Sequence, residues 1–385
     1  MYTNYDYTIA GSGCAGLSLL YQILQEPALA NKKILVLDSS NKEENDRSWC
    51  FWEKETGPFE GIVSHKWQQL KFISDDLDLS FSLVDYTYKM IRGIDFYCLV
   101  KSVMKKHKNV HFEIATIKDI VSDDNVASVI SSKGIFTSSY VFNSTPLFNP
   151  KISTSDTLLQ HFEGWTVKTK EDYFNPKTAT LMDFKLSQAQ GTTFMYVLPV
   201  SRKEALIEYT LFSSRKLEKK EYKTALQSYI TNNLGIKDYE IIHSENGSIP
   251  MSLKKFKRAA DNHARIINIG TAGGDTKSST GYTFHFIQKS ARIIVDQLIS
   301  GKSPLIKKTM RSRMFEWYDR TLLDVLLNNK LEGKAVFTAM FQKIPPNKIL
   351  EFLNNESRFI DELKIMNSLP IIKFGTSGLK QLIAS

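Results

Sequence analysis

The chain carries a carboxylic acid, Glu208, inside an apolar run that is typical of a β-strand. The run spans 205–212, and strand alternation predicts that Glu208 points away from Ile207 and Tyr209. A carboxyl group in an apolar pocket is a natural proton donor and acceptor, because desolvation raises its pKa. Glu208 is therefore a candidate catalytic residue. On these residues alone, an acid on the solvent-facing side of a strand is the alternative.

Three glycines near the start of the chain, Gly11, Gly13 and Gly16, have the spacing G-x-G-x-x-G. They follow a strand-like run at 5–10 and precede a helix-like run at 15–24. In a dinucleotide-binding unit the first glycine allows a sharp turn. The second leaves the backbone open to a pyrophosphate, and the third lets the helix approach the strand. The helix N-terminus then offers N–H groups to the phosphates.

The residues around these glycines extend the pattern. A second strand-like run at 33–37 ends in Asp38, where an acid accepts hydrogen bonds from ribose hydroxyls. Cys14 and Ala15 lie inside the loop and are predicted to pack beside the nucleotide. Together these features predict a nucleotide-binding βαβ unit, and its position at the start of the chain mildly favours FAD. A glycine-rich turn in another kind of α/β protein is the alternative.

A second glycine-rich segment follows a buried strand-like run at 265–270 and precedes a helix-like run that ends near residue 298. This order predicts that the chain returns to the nucleotide domain and adds to the cofactor site. The cofactor residues predicted here are Gly270, Thr271, Gly273, Gly274, Thr280 and Gly281. Arg92 precedes another helix and is a candidate for the pyrophosphate, with a surface arginine as the equal alternative.

Aromatic residues near these motifs are candidates for a substrate pocket. Trp49, Phe51 and Trp52 follow the second strand in a segment that we predict to be a loop, and Tyr196 and Tyr282 belong to a later strand and turn. Aromatic faces attract cations by about 0.5–2 kcal/mol each, depending on desolvation. Core packing is the alternative use of each of these side chains.

The composition is that of an ordinary soluble globular protein, with 385 residues, 42% hydrophobic and 24% charged. Its 50 Lys and Arg against 41 Asp and Glu give a net charge of +9, which suits an anionic membrane surface or a generally basic protein. The positive charge is scattered and no nucleic-acid motif occurs, so no nucleic-acid partner is predicted. Three cysteines without a C-x-x-C pair suit a reducing compartment.

The sequence predicts a cytoplasmic protein with peripheral membrane contact. It shows no secretory signal and no apolar stretch long enough to span a bilayer. Basic stretches at 254–258 and 307–313 are candidates for anionic head groups, at about 1 kcal/mol per charge, with a solvated charged face as the alternative. His107 and His111 straddle a helix end and a strand, so no metal site is predicted.

The order of these patterns predicts an α/β fold with a discontinuous Rossmann-type FAD-binding domain, an inserted, mainly antiparallel β-sheet domain for the substrate, and a helical C-terminal segment. The expected boundaries are 1–66, 93–150 and 256–303 for the FAD-binding domain, 67–92 and 151–255 for the substrate domain, and 304–385 for the helical segment. Substrate pockets in such proteins lie at the domain junction.

Six segments, in this order along most of the chain, resemble the lycopene cyclases, the flavin-dependent family that closes the end rings of carotenoids. They are the first glycine loop with Asp38, R-S-W-C-F-W at 47–52, Q-H-F-E-G-W at 160–165, A-L-I-E-Y-T-L at 205–211, E-N-G-S-I-P-M at 245–251, and G-T-A-G-G at 270–274 with S-T-G-Y at 279–282. No single match is decisive, but six in the right order are specific.

The resemblance implies a redox-neutral cyclisation of lycopene to γ- and β-carotene, beside FAD that must be reduced but is not consumed. NADPH would serve only to reduce it. Glu208 is then the implied acid/base. The family's F-L-E-E-T segment has two adjacent acids, and Glu208 can be aligned with either of them. The alignment that places Thr210 on the family's threonine is favoured and gives Glu208-Tyr209, which puts a role for adjacent acids in doubt. Glu245 resembles another family acid, with a structural hydrogen bond as the alternative.

Two other function classes stay open on the sequence. A flavin-dependent oxidoreductase of the same architecture, either a monooxygenase or an isoprenoid reductase, would share the glycine loops. Against it, Gly270-Thr271 replaces the Gly-Asp that is usual in that superfamily. A non-catalytic carrier of isoprenoids would retain FAD for stability and would not need Glu208.

Overall fold

The computed structural model describes residues 3–260 and 263–383, where the strands form three sheets. In chain order the strands are β1 (Thr3–Ala10), β2 (Ile34–Asp38), β3 (Ser48–Glu53), β4 (His65–Trp67), β5 (Gln69–Ile73), β6 (Asp78–Ser82), β7 (Thr87–Arg92), β8 (Val110–Ile114), β9 (Ile117–Ser122), β10 (Ala127–Ser131), β11 (Gly134–Asn143), β12 (Thr157–Thr169), β13 (Thr178–Asp183), β14 (Thr192–Pro199), β15 (Glu204–Ser213), β16 (Tyr239–Ser252), β17 (Ala259–Ala260) and β18 (His263–Asn268).

The helices cover the sheets and make up most of the C-terminal part of the chain. In chain order they are α1 (Cys14–Gln25), α2 (Gly93–Met104), α3 (Lys219–Ser228), α4 (Phe284–Ile299), α5 (Met310–Leu327), α6 (Gly333–Lys343), α7 (Pro346–Leu353), α8 (Phe359–Ser368) and α9 (Ile371–Ile383). The prediction of a helical C-terminal segment is confirmed.

The first sheet, which we call the nucleotide sheet, has the strand order β17-β18-β11-β1-β2-β8. Its strands from β18 to β8 are parallel, and β9 and β10 form an antiparallel hairpin with β11. The apolar core of α1, α2 and α4 covers one face. Because β1 lies between β2 and β11, the strand order reverses there, which is where open α/β sheets bind ligands. The predicted α/β fold with a Rossmann-type domain is confirmed.

The second sheet, which we call the substrate sheet, has the order β16-β12-β15-β14-β13-β5-β6 and is antiparallel except for the pair β13 and β5. It is the mainly antiparallel sheet that the sequence predicts. One face packs on α3 through a separate apolar core. The opposite face, which we call the front face, meets the nucleotide sheet and the C-terminal helices. Since successive side chains alternate between the two faces, only every second residue of a strand reaches the front.

The third sheet, β3-β7-β4, lies between the two larger sheets. The prediction of a loop at 46–52 is wrong for most of that segment, because β3 pairs with β7 from Ser48 to Glu53. Aromatic side chains fit a pleated surface that is covered on both sides. In β3 they alternate accordingly, with Phe51 in the core of the nucleotide sheet and Trp52 in the core of the C-terminal helices.

The C-terminal helices hold these sheets together. Phe72 of β5 stacks on Phe341 of α6 with ring centroids 4.2 Å apart. Trp52 Nε1 donates to the Leu350 carbonyl at 3.2 Å, and Asn354 Nδ2 donates to the Trp52 carbonyl at 3.2 Å. The helices therefore form one wall of the apolar core that lies against the front face of the substrate sheet.

Candidate active site

A cavity of about 460 Å³ lies between the carboxyl ends of the parallel strands and the front face of the substrate sheet. We call it the central cavity. The glycine loop after β1 and the segment before α4 line it on the nucleotide side. Residues of β12, β14, β15 and β16 line it on the other side. The glycine-rich segments and the strand that carries Glu208, which were both singled out in the sequence, therefore line the same cavity.

The first glycine loop has room for a phosphate. Gly11 has φ +100°, and a Cβ there would lie 2.3 Å from Ser144 Oγ; a Cβ at Gly16 would lie 2.0 Å from the Gly11 carbonyl oxygen. Gly13 has no heavy atom within 4 Å of its Cβ position. Gly13 is also the N-cap of α1, whose first turn has no capping side chain and no acidic residue. The open space thus faces a helix N-terminus that is ready to accept an anion.

Asp38 ties the end of β2 to this loop. Its carboxylate accepts hydrogen bonds from the backbone N–H of Ser12 at 2.6 Å and of Ser40 at 2.8 Å. The acid thus lies beside the loop, at the position predicted for ribose recognition. Cys14 and Ala15 line the central cavity. Burial raises the pKa of the Cys14 thiol to about 12, so it packs as a neutral group.

The second glycine-rich segment is held in place by a buried acid. Gly270 has φ +62°, and its N–H donates to Asp275 Oδ2 at 2.8 Å. Asp275 also accepts from Ser290 Oγ at 2.5 Å and from Arg258. A Cβ at position 270 would come within 2.7 Å of Ala15 Cβ. The two glycine-rich segments therefore touch, and Thr271 lines the cavity beside them.

Three buried polar atoms of residues that line the cavity have no hydrogen-bond partner among the described residues: Thr280 Oγ1, Gln160 Oε1 and the Tyr88 hydroxyl. Gly281, at φ +73°, would place a Cβ 1.6 Å from that Gln160 oxygen. Nearby, Thr283 is the N-cap of α4, which has neither a capping side chain nor an acid in its first turn. Unpaired buried polar atoms are costly, so this arrangement fits a polar ligand that supplies their partners.

Two carboxylic acids face the cavity across a glycine. Gly164 of β12 is in register with Glu208 of β15 on one side and with Glu245 of β16 on the other. A Cβ at Gly164 would lie 3.5 Å from Glu208 Cβ and 3.4 Å from Glu245 Cγ. Tyr209, next to Glu208 in sequence, points to the opposite face and packs against Tyr222 with ring centroids 6.3 Å apart. The second acid at the cavity therefore comes from another strand.

The surroundings of the acid pair raise the pKa of both carboxyls. Burial, followed by the like charge of Glu245, raises the pKa of Glu208 to about 8, although Thr210 Oγ1 donates to it at 2.6 Å. Burial also raises the pKa of Glu245, against two hydrogen bonds from Ser48, one from Oγ at 2.7 Å and one from the backbone N–H at 3.3 Å. At neutral pH Glu208 therefore holds a proton.

Three tyrosines, Tyr88, Tyr196 and Tyr282, form a wall of the cavity next to Glu208. Tyr196 of β14 is in register with Glu208, and its hydroxyl lies 3.3 Å from the Tyr282 hydroxyl. Burial raises the pKa of all three phenols, so they are neutral. Apart from the acid pair, this wall is aromatic and uncharged.

The structure brings some of the predicted aromatic residues to the cavity and places others behind its wall. Trp49 lines the cavity and packs near Phe284, with ring centroids 5.9 Å apart. Phe51 stacks on the same Phe284 at 4.4 Å and belongs to the core. Trp52 contacts the edge of Tyr282 at 4.7 Å. Phe51 and Trp52 thus support lining residues without lining the cavity themselves.

The predicted pyrophosphate residue Arg92 lies away from the central cavity. It is an exposed N-cap of α2, and its Nε pairs with Asp95 Oδ2 at 2.6 Å. Arg47 lines the central cavity instead, with its Nη2 2.7 Å from Asp46 Oδ2. Because Arg47 is the residue just before β3, the pairing of β3 with β7 sets its position beside the glycine loop.

Gly273 and Gly274 face a second cavity of about 350 Å³ on the other side of their segment. A Cβ at Gly273 would lie 2.2 Å from the Asn268 carbonyl oxygen, so packing requires a glycine there. Lysines and an arginine from the two predicted basic stretches line this second cavity, from 254–258 and from the 307–308 part of 307–313. The fold thus brings two separate basic stretches to one place.

The family model described as "Lycopene cyclase protein" matches residues 6–378, nearly the whole chain. The chain belongs to the lycopene cyclase family. A lycopene beta-cyclase of Pseudescherichia vulneris is 21% identical over 96% of this chain and 95% of its own length. A lycopene beta-cyclase of Paracoccus sp. (strain N81106 / MBIC 01143) is 24% identical over 57% of this chain, and that match spans 58% of the Paracoccus protein.

Solved structures agree with the fold of this family member. A geranylgeranyl bacteriochlorophyll reductase-like protein of Thermoplasma acidophilum has a TM-score of 0.64 at 12% identity, with all of both chains covered. A flavoprotein/dehydrogenase of Cytophaga hutchinsonii has a TM-score of 0.62 at 13% identity, covering 99% of this chain and 100% of that one. At such identities the likeness concerns the fold alone.

Several residues that line the cavity of this lycopene cyclase family member were not predicted from the sequence: Arg47, Ser48, Tyr88, Gln160 and Phe162. Gln160 and Phe162 could have been predicted, because they lie on the front face with Gly164 at a spacing of two residues. Ser48 and Tyr88 come from strands whose pairing the sequence does not reveal. Among residues 3–260 and 263–383, no helix is long and apolar enough to cross a membrane, and no metal-binding cluster is found.

Proposed function

We propose that the protein is a lycopene β-cyclase, which converts linear lycopene to γ- and β-carotene by acid/base catalysis in the central cavity. The reaction isomerises the substrate: a proton adds to a terminal double bond, a neighbouring double bond attacks the cation, and another proton leaves. The observation that carries the proposal is the position of the Glu208 carboxyl in an aromatic cavity beside two glycine-rich segments, where burial raises its pKa to about 8. An FAD-dependent oxidoreductase is the competing function.

We propose FAD as the resident cofactor, because the residues present fit it. The space at Gly13 before α1 suits a pyrophosphate, and Asp38 suits the ribose. The unpartnered oxygens of Thr280 and Gln160 offer hydrogen bonds on the opposite wall. When bound, reduced FAD supplies an electron-rich ring system that stabilises positive charge in a dry site. NADPH as its reductant is part of the same proposal.

The two acids of the pair have different roles in the reaction. Glu208 is protonated at neutral pH and donates to the terminal double bond. Glu245 accepts two hydrogen bonds from Ser48, which favour its ionised form, and its charge helps keep the proton on Glu208. In its ionised form, Glu245 across Gly164 also attracts the carbocation that forms after protonation.

The aromatic wall orients the hydrocarbon and stabilises the cation. Tyr88, Tyr196 and Tyr282 are neutral, and Trp49 contributes a large π-face. Such faces attract a cation by about 0.5–2 kcal/mol each and give no nucleophile that would trap it, as water would. We also propose peripheral membrane contact, because the substrate is a long hydrocarbon that dissolves in membranes.

Expression in a lycopene-accumulating bacterium tests this proposal. We expect the red pigment to become yellow-orange, with chromatography and mass spectrometry giving ring-closed products of unchanged mass. The Glu208→Gln variant should leave the pigment red while the purified protein keeps its flavin. A product that has gained oxygen or hydrogen would identify an oxidoreductase instead, and an active Glu208→Gln variant would rule out Glu208 as the acid.

A further inference from the structure

The outer side of α9 is apolar, which reverses the usual pattern of a surface helix. Its exposed large apolar residues are Ile371, Ile372, Leu379, Leu382 and Ile383. At 3.6 residues per turn these positions fall on one side of the helix, which we call the α9 stripe. The side that faces the protein carries Ser377, Gly378 and Gln381, all buried. The burial of small and polar residues leaves the apolar ones outside.

Specific contacts fix this orientation. Trp317 Nε1 donates to the Gly378 carbonyl at 2.8 Å. Lys380 Nζ lies 2.8 Å from the Asp324 carboxylate, and Arg320 donates to Gln381 Oε1 at 2.9 Å. Because these polar contacts come from the buried side of α9 and its flank, rotating the helix to hide the stripe would break them. The apolar exposure is therefore part of the fold.

An apolar cavity of about 330 Å³ lies beneath α9, between α5, α6 and α8, and we call it the port cavity. Ile371, Leu379 and Leu382 of the α9 stripe also line it, so the exposed face and the cavity share residues. At the inner end the port cavity reaches Ser279, and the next residue, Thr280, lines the central cavity. Both cavities thus meet the same short segment.

We propose that the α9 stripe docks on a lipid bilayer and that the port cavity takes up the hydrocarbon chain from it. This inference rests on the proposed function for the choice of hydrocarbon. Lys373 is exposed on α9 and follows Ile372 of the stripe in sequence, as expected for a helix at an anionic lipid interface, and the chain carries a net charge of +9. A bilayer accounts for both features, since it covers the stripe and supplies the cavity. A protein partner would cover the stripe alone.

Binding to vesicles of phosphatidylcholine with a minority of phosphatidylglycerol tests the docking surface. Ile372 is 80% exposed, and we expect Ile372→Glu to lower the vesicle partition coefficient by roughly tenfold or more, because an apolar side chain is replaced by a charge. Val84, which is 78% exposed between β6 and β7 and not on α9, gives the matched control Val84→Glu, whose partition should equal that of the unmodified chain. Equal loss in both variants, or no loss in either, would overturn the proposal.

Light scattering of the same proteins without vesicles distinguishes docking on a bilayer from self-association. We expect one molecular mass for the unmodified chain and Ile372→Glu in the absence of vesicles. A mass that halves in the variant would show that a second copy covers the stripe, and would overturn the proposal. None of these measurements needs cyclase activity, so they stand even if the proposed reaction is wrong.

The port cavity is tested with diphenylhexatriene, a rod-shaped polyene that fluoresces in apolar surroundings. Met366, half-buried, lines the cavity on α8, and we expect Met366→Trp to lower diphenylhexatriene binding several-fold, because the larger ring fills the space. The matched control is Met314→Trp, half-buried on α5 and not among the residues that line the cavity. Vesicle binding should be unchanged in both variants. Equal probe binding in both would refute an uptake role for the cavity.

Discussion

The Glu208→Gln variant is expected to lose activity and to gain stability, with a pH dependence that the cavity dictates. The folded protein keeps a proton on Glu208 up to a pH of about 8, whereas an unfolded chain releases it near 4.5. Stability from this group is therefore full below about pH 4.5, falls as pH rises through the interval, and levels off above about 8. The amide of the variant has no proton to release, so this part of the pH dependence disappears.

The magnitude follows from that interval. At about 1.4 kcal/mol per pH unit, the step from 4.5 to about 8 corresponds to at most about 5 kcal/mol, and the coupling with Glu245 reduces it. Denaturant unfolding at several pH values measures the difference between the two proteins. We expect the variant to be only slightly more stable than the unmodified chain near pH 5 and several kcal/mol more stable near pH 9.

The pH dependence of the activity should be set by the same Glu208 carboxyl. We expect kcat/KM of the unmodified protein to fall tenfold per pH unit above about 8, and the variant to lose about 10²- to 10⁴-fold, because an amide cannot act as the acid. Glu163→Gln is the matched control: Glu163 is buried in β12 on the opposite face and accepts a hydrogen bond from Trp165. A variant whose stability difference does not depend on pH would refute the reasoning on burial.

Three further variants test other parts of the site. Gly13→Val should abolish flavin retention with little loss of stability, because its side chain would enter the open space that we propose for the pyrophosphate. The flavin absorbance of the purified protein measures this loss. Ser48→Ala removes a hydrogen bond to Glu245 and raises the pKa of that carboxyl, so the acidic limb of the pH–rate profile should move to higher pH. Lys277→Met leaves the buried Asp319 without its cation and should lower the free energy of unfolding by about 3–5 kcal/mol in urea titrations, whereas the activity per folded molecule stays.

Much of the fold could be predicted from the sequence, because the strongest sequence patterns are local. The glycine spacing with the strand, helix and Asp38 around it requires only a βαβ unit. The alternation around Glu208 in β15 depends on backbone geometry alone, and the structure shows it: Leu206 and Glu208 line the central cavity, whereas Ile207 and Tyr209 belong to the core on the opposite face. That alternation also shows why the change from an acid to Tyr209 leaves the cavity intact: two neighbours in one strand never share a face.

The parts that the sequence did not reveal depend on pairing between distant segments. Glu245 faces Glu208 across β12, which lies between β15 and β16, because Gly164 is in register with both acids and has no side chain to separate them. Arg47 lies at the cavity because β3 pairs with β7. Such registers follow from the packing of the whole sheet, and no local propensity encodes them.

The contacts of Trp52 determine when this protein can acquire its cavity during synthesis. The indole and the carbonyl of Trp52 bond to Leu350 and Asn354, which are 298 and 302 residues further along the chain. Trp52 in turn supports Tyr282, a wall of the central cavity. A ribosome delivers the N-terminal segments first, so the glycine loop can form long before its aromatic counterpart is secured. The aromatic wall of the cavity is then among the last features to assemble, so the proposed flavin site can form before the proposed hydrocarbon site.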